Sequence, residues 1–478
     1  MSSASLMLTD RGLALSEPVA LGAGGSTKTL AALSLGGSLV FVSSAVVAVA
    51  LAAIGRDMHL SPLELQWVMN AELLPLAALT LVAGAVGDRF GRKRIFLGGI
   101  ALYGLGAATI GFAPSFAPLI VGRFLQGSGE ALILPNGLSV LGRAFPSDKK
   151  AGAVGIWSAA AAVASGGAPA VAGVILDHGS WRMTFLMLLP AAVGALAVGT
   201  MWIPKDSPTS RARVDVAGAV FSAVGLGALG AGLTSLTNGS GLSLGVLLTL
   251  VVGLSGLAGL IVSQRRLGDA AMLPPSLLTS RSVIGANLFT ALLYAPFTVV
   301  LTLIPFVMIR GAHLPTPAAG LAFIPMQVLI TVVSPLAGML CRQFGRRLPL
   351  FSGGAVAALG CAMALRIGPN ATYWADIFPA IVLLALGMGL AIAPLTTLVL
   401  TSVEPERAGT ASGVNSAVSR AGSLFAIALL GGVLQQGGPE LFSGFHMAMA
   451  VAAVACVLAT LAVFIIEPGP HVDFIPRD

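Results

Sequence analysis

Two glutamates, Glu72 and Glu130, lie well inside long apolar stretches, whereas the other acidic residues fall at the ends of such stretches or between them. A carboxyl group in a membrane is costly, and it usually faces a cavity, has a partner or carries protons. Low polarity favours its uncharged form, so such a group can carry a proton. We predict that Glu130 is the principal proton carrier and that Glu72 is the second.

Arg123, Gln126, Gly127 and Glu130 follow one another at spacings that place them along one face of a helix. Each residue adds about 1.5 Å, so about 10 Å separates Arg123 from Glu130 and we expect no direct bond between them. Arg123 would instead tune both carboxyl groups electrostatically. Three simpler interpretations stay open. Glu130 could neutralise an arginine of a neighbouring helix, Glu72 could bond across helices, and Arg123 could hold the helix bundle together.

The segments that position these residues are predicted to be membrane spans. Apolar residues make up 56% of the chain and charged residues only 9%, against about a quarter in soluble proteins. A span needs about 20 mostly apolar residues. Fourteen stretches meet this requirement and predict an all-α integral membrane protein: 30–54, 65–87, 95–113, 117–142, 150–176, 183–203, 215–236, 241–263, 283–309, 316–340, 349–366, 375–401, 408–434 and 444–466.

The lysines and arginines orient these spans. With the N-terminus in the cytoplasm, 20 of the 26 lie in cytoplasmic segments, four lie in external segments, and Arg123 and Arg420 lie within spans. Cytoplasmic loops carry such an excess, so we predict a multi-pass protein of the plasma (inner) membrane with both termini cytoplasmic. The net charge of +7 then reflects topology and contact with membrane lipids, not nucleic acid.

A basic loop occurs twice, as GAVGDRFGRKR at 84–94 and as GMLCRQFGRRL at 338–348, with an offset of 254 residues. A turn that returns between corresponding spans indicates two pseudo-symmetric halves. The predicted organisation is a disordered cytoplasmic tail (1–29), a six-helix bundle (30–203), a basic connector with two inserted transmembrane helices (204–282), a second six-helix bundle (283–466) and a cytoplasmic tail (467–478).

The sequence carries no pattern typical of an enzyme or a metal site. Its cysteines, Cys341, Cys361 and Cys456, form no spaced set, and no phosphate-binding GxxxxGK[ST] motif occurs. We therefore predict no catalytic residue, no metal and no cofactor, with a proton gradient as the energy source. The short loops leave no soluble domain to transmit a signal, which disfavours a receptor, and we expect a monomer.

Five stretches occur in a characteristic order: SPLELQWVMNAELLPLAAL (61–79), GAVGDRFGRKR (84–94), VGRFLQGSGEALILP (121–135), SWRMTFLMLLP (180–190) and GTASGVNSAVSRAGSLFAIAL (409–429). Together they resemble the major facilitator superfamily, and within it the fourteen-helix drug:proton antiporter subfamily. This resemblance covers nearly the whole chain. It implies the major facilitator fold, with two six-helix bundles plus two inserted helices, and the export of drugs in exchange for protons by alternating access.

The resemblance also implies roles for particular residues. The first loop copy would be a gating element that braces neighbouring helices and biases the inward–outward equilibrium, through Gly84, Asp88, Arg89, Gly91 and Arg92. A plain basic anchor is the alternative for this loop. In GGAPAVAG (166–173), Pro169 and Gly173 would form a packing hinge of the fifth span. The second loop copy has Arg342 in place of the acid, so we predict that it serves as an anchor only.

Few polar residues can line a cavity between the halves, near the bilayer midplane where such sites lie. The candidates are Ser43, Asn70, Gln126, Trp157, Asn287, Tyr294, Gln327, Asn415 and Arg420. For Arg420 the alternative is pairing with backbone or with another polar group. Such apolar walls suit a small lipophilic or weakly cationic organic substrate. Export of a dedicated amphiphile, such as a lipid precursor or a self-made antibiotic, is the second interpretation.

Overall fold

The computed structural model describes residues 23–145, 147–206, 215–237, 241–268, 280–312, 316–403 and 408–467, with the isolated residues 271, 273, 275, 277 and 314. Among these residues the regular secondary structure consists of helices joined by turns and loops, without a strand. Most of the two predicted tails (1–29 and 467–478) lies outside the described residues, namely 1–22 and 468–478, and so does the stretch 207–214 of the predicted connector (204–282). The first helix begins at Ala23, before the predicted start of the first span at residue 30.

The helices follow the predicted order of a bundle, an inserted pair and a second bundle. The first bundle contains α1 (Ala23–Asp57), α2 (Pro62–Phe90), α3 (Arg92–Gly111), α4 (Phe116–Ala144), α5 (Ser147–His178), α6 (Trp181–Leu186) and α7 (Leu188–Trp202). The inserted pair is α8 (Val216–Ser235) and α9 (Leu244–Leu267). The second bundle contains α10 (Arg281–Arg310), α11 (Thr316–Leu321), α12 (Ile324–Phe344), α13 (Arg347–Met363), α14 (Phe378–Thr401), α15 (Ala408–Ala428), α16 (Gly431–Gln435) and α17 (Gly438–Ala462).

Helices lie at all fourteen predicted places, but the count of fourteen spans is not confirmed. In the described part of the chain, 11 helices are long and apolar enough to cross a membrane, or up to 12 if α2, bent by 58° after Thr80, is one span. The other two, α4 and α15, are 29 and 21 residues long. They carry the polar residues of the predicted site, among them Arg123, Glu130 and Arg420. A helix whose polar face meets other helices needs less apolar surface than one surrounded by lipid.

The two loop copies share one structural role. Lys93, near the end of the first loop copy, donates from Nζ to the carbonyl oxygens of Thr200 (2.8 Å) and Ile203 at the end of α7. Arg347, 254 residues later, donates from Nε to the carbonyl oxygen of Ile466 at 2.8 Å, just beyond α17. Each of these side chains therefore connects the third predicted span of its bundle (α3 or α13) to the end of the last one (α7 or α17). The cation is favourable there because it satisfies carbonyl groups at a helix C-terminus that have no helical donor.

Glycines bring α2, α3 and α4 into close contact around the predicted site. A Cβ atom at Gly129 would collide with the carbonyl oxygen of Gly99 in α3, and one at Gly127 would collide with the backbone of Glu72 in α2. Small residues allow such approach of helix backbones in membranes. The side chains of Arg123 and Glu130 are therefore carried by a helix whose position against its two neighbours is fixed by backbone contact.

The two bundles touch at the ends of their helices that the predicted topology makes external. Gln66, near the start of α2, donates from Nε2 to the carbonyl oxygen of Ile427, at the end of α15, at 2.9 Å. Gly320 of α11 packs on the carbonyl group of Pro169 in α5, where a Cβ atom would collide with it. These contacts close the external side between α2 and α15 and between α5 and α11.

The inserted helix α8 packs against both bundles. The Asn70 amide of α2 donates to the Thr234 hydroxyl of α8 at 3.2 Å. The Thr237 hydroxyl, just beyond α8, donates to the carbonyl oxygen of Ala428 in α15 at 2.9 Å. The inserted pair therefore bridges the seam between α2 and α15, in addition to connecting the bundles in sequence.

Candidate functional site

Arg123 is the centre of a buried polar cluster in the first bundle. Its side chain is 1% exposed, and its guanidinium group bonds to three helices. Nε donates to the carbonyl oxygen of Val68 in α2 at 2.8 Å, and Nη1 donates to Ser43 Oγ of α1 at 3.0 Å and to Gln126 Oε1 of its own helix at 2.9 Å. A fully bonded arginine of this kind links α1, α2 and α4 rigidly.

The remaining guanidinium nitrogen, Nη2, forms an ion pair with Glu72 Oε2 of α2. Both side chains are almost completely buried, so the two charges compensate each other in surroundings where an isolated charge would be costly. The sequence identified both residues but not their pairing. The partner of Arg123 is thus the acid on the neighbouring helix.

Glu130 differs from Glu72 in having no cation bonded to it. Its side chain is fully buried, and neither Oε1 nor Oε2 has a hydrogen-bond partner among the described residues. The charged or ionisable groups close enough to act on it are Glu72, Arg123 and Arg420, together with Tyr103 of α3. A buried carboxylate without a donor or a bonded cation is strongly unfavourable. The arrangement therefore fits an uncharged, protonated Glu130 beside a charged Glu72–Arg123 pair.

Tyr103 is a member of this cluster that the sequence analysis missed. Its ring is fully buried, its hydroxyl lies in the polar interior, and its surroundings include Glu130, Glu72 and Ser43. The sequence feature that could have drawn attention to Tyr103 is the small number of tyrosines, since the chain has only three. In a sequence, however, an aromatic residue inside a span resembles ordinary core packing.

Four predicted cavity residues are packed inside the first bundle in this conformation. Ser43 and Gln126 belong to the Arg123 cluster, and Asn70 is bonded to α8. Trp157 is 7% exposed and donates from Nε1 to the carbonyl oxygen of Leu33 in α1 at 3.2 Å. In this conformation each of these side chains has a partner within the packing, and their place in the wall of a substrate cavity stays a prediction.

The predicted cavity residues of the second bundle are less enclosed. Asn415 of α15 donates from Nδ2 to Asn287 Oδ1 at 3.2 Å and to Thr290 Oγ1 at 2.6 Å, both in α10. Tyr294 and Arg420 are half-buried, and the charge of Arg420 acts on the Tyr294 hydroxyl. These residues form a polar strip along α10 and α15. Gln327 lies apart from it, at the contact between α12 and α5.

The gating loop forms a compact charged turn at the end of α2. Arg92 pairs with Asp88 one turn away, with 2.5 Å between Nη2 and Oδ1. Gly91 has a φ of +98°, a region that favours glycine. Arg89 lies over the ring of Phe90, 5.5 Å from its centroid. A Cβ atom at Gly84 would meet nothing within 4 Å, so no close packing explains that glycine.

Asp206, which was not predicted from the sequence, completes this turn. Its carboxylate accepts hydrogen bonds from the backbone N–H groups of Arg92 (2.5 Å) and Lys93 (3.2 Å) at the start of α3. A carboxylate at a helix N-terminus satisfies N–H groups without helical partners and opposes the helix dipole favourably. Asp206 lies in the connector after α7, so the turn between α2 and α3 is also bonded to the segment that follows the last helix of the first bundle.

The predicted hinge residues lie in a continuous helix, since α5 extends from Ser147 to His178 through Pro169. Proline has no N–H to donate, which leaves the carbonyl group of Ser165 without its helical partner. The carbonyl group of Pro169 contacts Gly320 of α11, where a Cβ atom would collide with it. Gly173 is buried in the same helix. This part of α5 therefore packs closely on the second bundle.

Comparisons with known proteins agree with this architecture. Residues 33–427, and again 288–478, match the family described as the Major Facilitator Superfamily. The chain is 31% identical over 411 residues to the multidrug resistance protein Stp of Mycobacterium tuberculosis, covering 85% of this chain and 75% of that protein. It is 30% identical over 431 residues to the cephamycin export protein CmcT of Amycolatopsis lactamdurans, covering 89% of each. Its fold is similar to that of the xylose transporter XylE from E. coli, with a TM-score of 0.66 at 16% identity over 93% of this chain and 98% of that one.

Proposed function

Because the chain belongs to the Major Facilitator Superfamily, we propose that it exports lipophilic organic compounds, including drugs, in exchange for protons. It is a multi-pass membrane protein and a transporter, not an enzyme. The relatives named for multidrug resistance and for export support the direction of transport. We place it in the plasma membrane, in contact with lipid, as a monomer with both termini cytoplasmic and with no cofactor besides the proton gradient.

The observation that carries the proton part of this proposal is the state of Glu130. Its carboxyl group is buried without a hydrogen-bond partner among the described residues, next to an ion pair that already compensates Glu72 and Arg123. In this conformation Glu130 is the natural place for a bound proton.

We infer that this conformation is inward-facing, and the contacts between the bundles support this. The contacts of Gln66 with Ile427 and of Gly320 with Pro169 lie towards the predicted external ends. In an inward-facing state the external ends are closed, and the proton on Glu130 has arrived from outside and awaits release to the cytoplasm. Proton entry driven by the membrane potential supplies about 2.3 kcal/mol per 100 mV, which is enough for one proton to sustain an outward gradient of cargo.

On the cytoplasmic side, the gating loop controls the equilibrium between the inward-facing and outward-facing states. Asp88, Arg92 and Asp206 form hydrogen bonds and an ion pair within the first bundle. Closing the cytoplasmic side brings the second bundle towards this turn, so a change in its charges shifts the equilibrium between inward-facing and outward-facing states. The second loop copy has no acid at the corresponding position, Arg342, and Arg347 beside it fastens its own bundle.

The direct test is drug-dependent proton release from purified transporter in detergent and drug-driven proton movement in liposomes. Wild type should release protons when a lipophilic drug binds, Glu130→Gln should not, and Glu72→Gln should be strongly impaired. Glu440→Gln, at an exposed acid of α17, is the matched control and should behave as wild type. Full coupling in both Glu130→Gln and Glu72→Gln would refute the assignment, and pH-independent transport by wild type would refute antiport.

A second candidate is the export of one dedicated amphiphile. The similarity to CmcT, which is named for the export of a single compound, favours it. A growth-inhibition panel in cells with and without the transporter separates the two candidates. Protection against many unrelated compounds supports multidrug export, and protection against one chemical family supports a dedicated exporter.

A further inference from the structure

Two hydrogen-bond donors in the second bundle have no partner among the residues that the structure describes. Arg420 of α15 and Tyr294 of α10 are half-buried, and their side chains form no hydrogen bond or ion pair with the described residues. They are close enough for the arginine charge to act on the tyrosine hydroxyl. An unpaired arginine at membrane depth is costly unless it faces a water-filled cavity or a ligand.

The depth of Arg420 follows from the contacts of α15 with its neighbours. Gln66 of α2 meets Ile427 of α15, and seven residues inward along each helix, about 10 Å, lie Leu73 and Arg420. Helix α8 supports this alignment, because it contacts α15 and α2 at nearly the same depth: its Gly230 lies against Leu424 of α15, and its Gly227, about one turn further inward, lies against Leu74 of α2. Arg420 is therefore level with Glu72, and its charge reaches Glu130 in the opposite bundle.

The charged residues at the depth of Arg420 and Glu72 are arranged against the binding of a cationic cargo. Glu72 is compensated by Arg123, and Glu130 is enclosed inside the first bundle, where cargo cannot touch it in this conformation. In the described part of the second bundle the acidic residues, Asp376, Glu440 and Glu467, lie at helix ends. The accessible charge between the bundles is thus the positive charge of Arg420.

We propose that Arg420 and Tyr294 bind the cargo through its oxygen acceptors, and that the cargo is an uncharged lipophilic molecule bearing carbonyl groups. This inference rests on the proposed export function and narrows its substrate class, from lipophilic or weakly cationic compounds to carbonyl-bearing ones. A guanidinium group can donate two parallel hydrogen bonds to neighbouring acceptors, and the tyrosine hydroxyl adds a third. An ammonium group on the cargo would meet only like charge.

The inference separates cargo recognition from proton binding. The hydrogen-bond donors that bind the cargo lie in the second bundle, on α10 and α15. The carboxyl groups that hold the proton lie in the first bundle, on α2 and α4. A change at Arg420 should therefore alter which molecules bind, and a change at Glu130 should alter the dependence of transport on pH.

The test uses three probes built on one ring system: an anthraquinone with a hydroxymethyl group, the anthracene with the same group, and the anthracene with an aminomethyl group. The first two have the same ring skeleton and differ in the central ring, which carries two carbonyl groups in the anthraquinone and two C–H groups in the anthracene, and the third is a cation. Binding is measured on the purified full-length transporter, and export is measured in liposomes with a pH gradient. The variants are Arg420→Gln, Arg420→Lys and Tyr294→Phe, with Arg310→Gln, at an exposed arginine of α10, as the matched control.

Wild type should bind the anthraquinone about ten- to a hundred-fold more tightly than the hydroxymethyl anthracene, the range for a hydrogen bond to a charged group. Arg420→Gln should bring this ratio to within about two-fold, Arg420→Lys should restore part of it, and Arg310→Gln should keep it. The pH dependence of export should be unchanged in Arg310→Gln.

Three results would overturn the inference: the ratio survives in Arg420→Gln, wild type binds the aminomethyl probe most tightly, or wild type binds none of the three. Failure of the proposed function looks different. In that case the anthraquinone would bind with the expected ratio, but a pH gradient would move neither it nor any drug.

Discussion

Arg123 and Glu130 share one face of α4, yet the guanidinium group of Arg123 is bonded to Glu72 of α2 and leaves Glu130 without a cation. The first bundle thus contains a charged pair and a separate carboxyl group side by side. These two elements have opposite requirements, because the pair depends on both of its charges, whereas Glu130 in this state depends on being neutral. The first two predictions test this difference.

Removing one member of the charged pair should destabilise the transporter strongly. We expect Arg123→Gln to lower the free energy of unfolding by about 3–5 kcal/mol, because Glu72 would keep a buried, uncompensated charge. The double variant Arg123→Gln with Glu72→Gln should recover part of this loss. Thermal unfolding of the purified protein measures both. A double variant that is less stable than Arg123→Gln alone would contradict the pairing.

Glu130→Gln should leave stability nearly unchanged. The substitution preserves size, the Glu130 carboxyl group makes no hydrogen bond to the described residues, and the proposed proton on it would make it neutral in this conformation. We expect a change of no more than about 0.5–1 kcal/mol in thermal unfolding at pH 7, together with lost proton coupling. A loss as large as that of Arg123→Gln would mean that Glu130 is charged and paired in the folded protein.

Asp206→Ala should weaken the start of α3. The carboxylate accepts from two backbone N–H groups there, and loss of such a cap costs about 1 kcal/mol. Faster hydrogen exchange at residues 92–95 is the measurement, and Asp206→Asn should retain part of the protection. Asp376→Ala, which removes a similar acceptor from the backbone N–H of Thr372, is the control and should leave α3 unaffected. Unchanged exchange at α3 in Asp206→Ala would show that Asp206 does not cap it.

Loss of the Thr237 hydroxyl should loosen the external contact between the bundles. We expect Thr237→Val to reduce the yield of a short cross-link between Gln66→Cys and Ala428→Cys about two-fold or more, because the hydroxyl ties the end of α8 to Ala428 and a hydrogen bond contributes about 1 kcal/mol. Thr249→Val is the control, since its exposed hydroxyl bonds only within α9. Equal yields in all variants would show that the inserted pair does not hold the external side closed.

The residues of the site could be predicted from the sequence because they break a simple rule. Glu72, Arg123 and Glu130 are ionisable groups in apolar surroundings, and such an exception is visible in any span. Their pairing was not predictable, because it depends on the lateral position of α2 against α4, which is set by Gly127 packing on the Glu72 backbone. Asp206 escaped notice for a related reason. In the sequence it is one acid in a polar connector, and it gains a role only when the chain returns to the start of α3.

The bridge formed by α8 makes the two seams of the transporter unequal. Helix α8 lies across the junction of α2 and α15, whereas no other long helix among those described packs to a similar extent across both α5 and α12. A compound dissolved in the bilayer therefore meets a covered flank on one side and an uncovered one on the other. Membrane-borne cargo would approach from a single direction in the plane of the membrane, so the molecule has a front and a back as well as an inside and an outside.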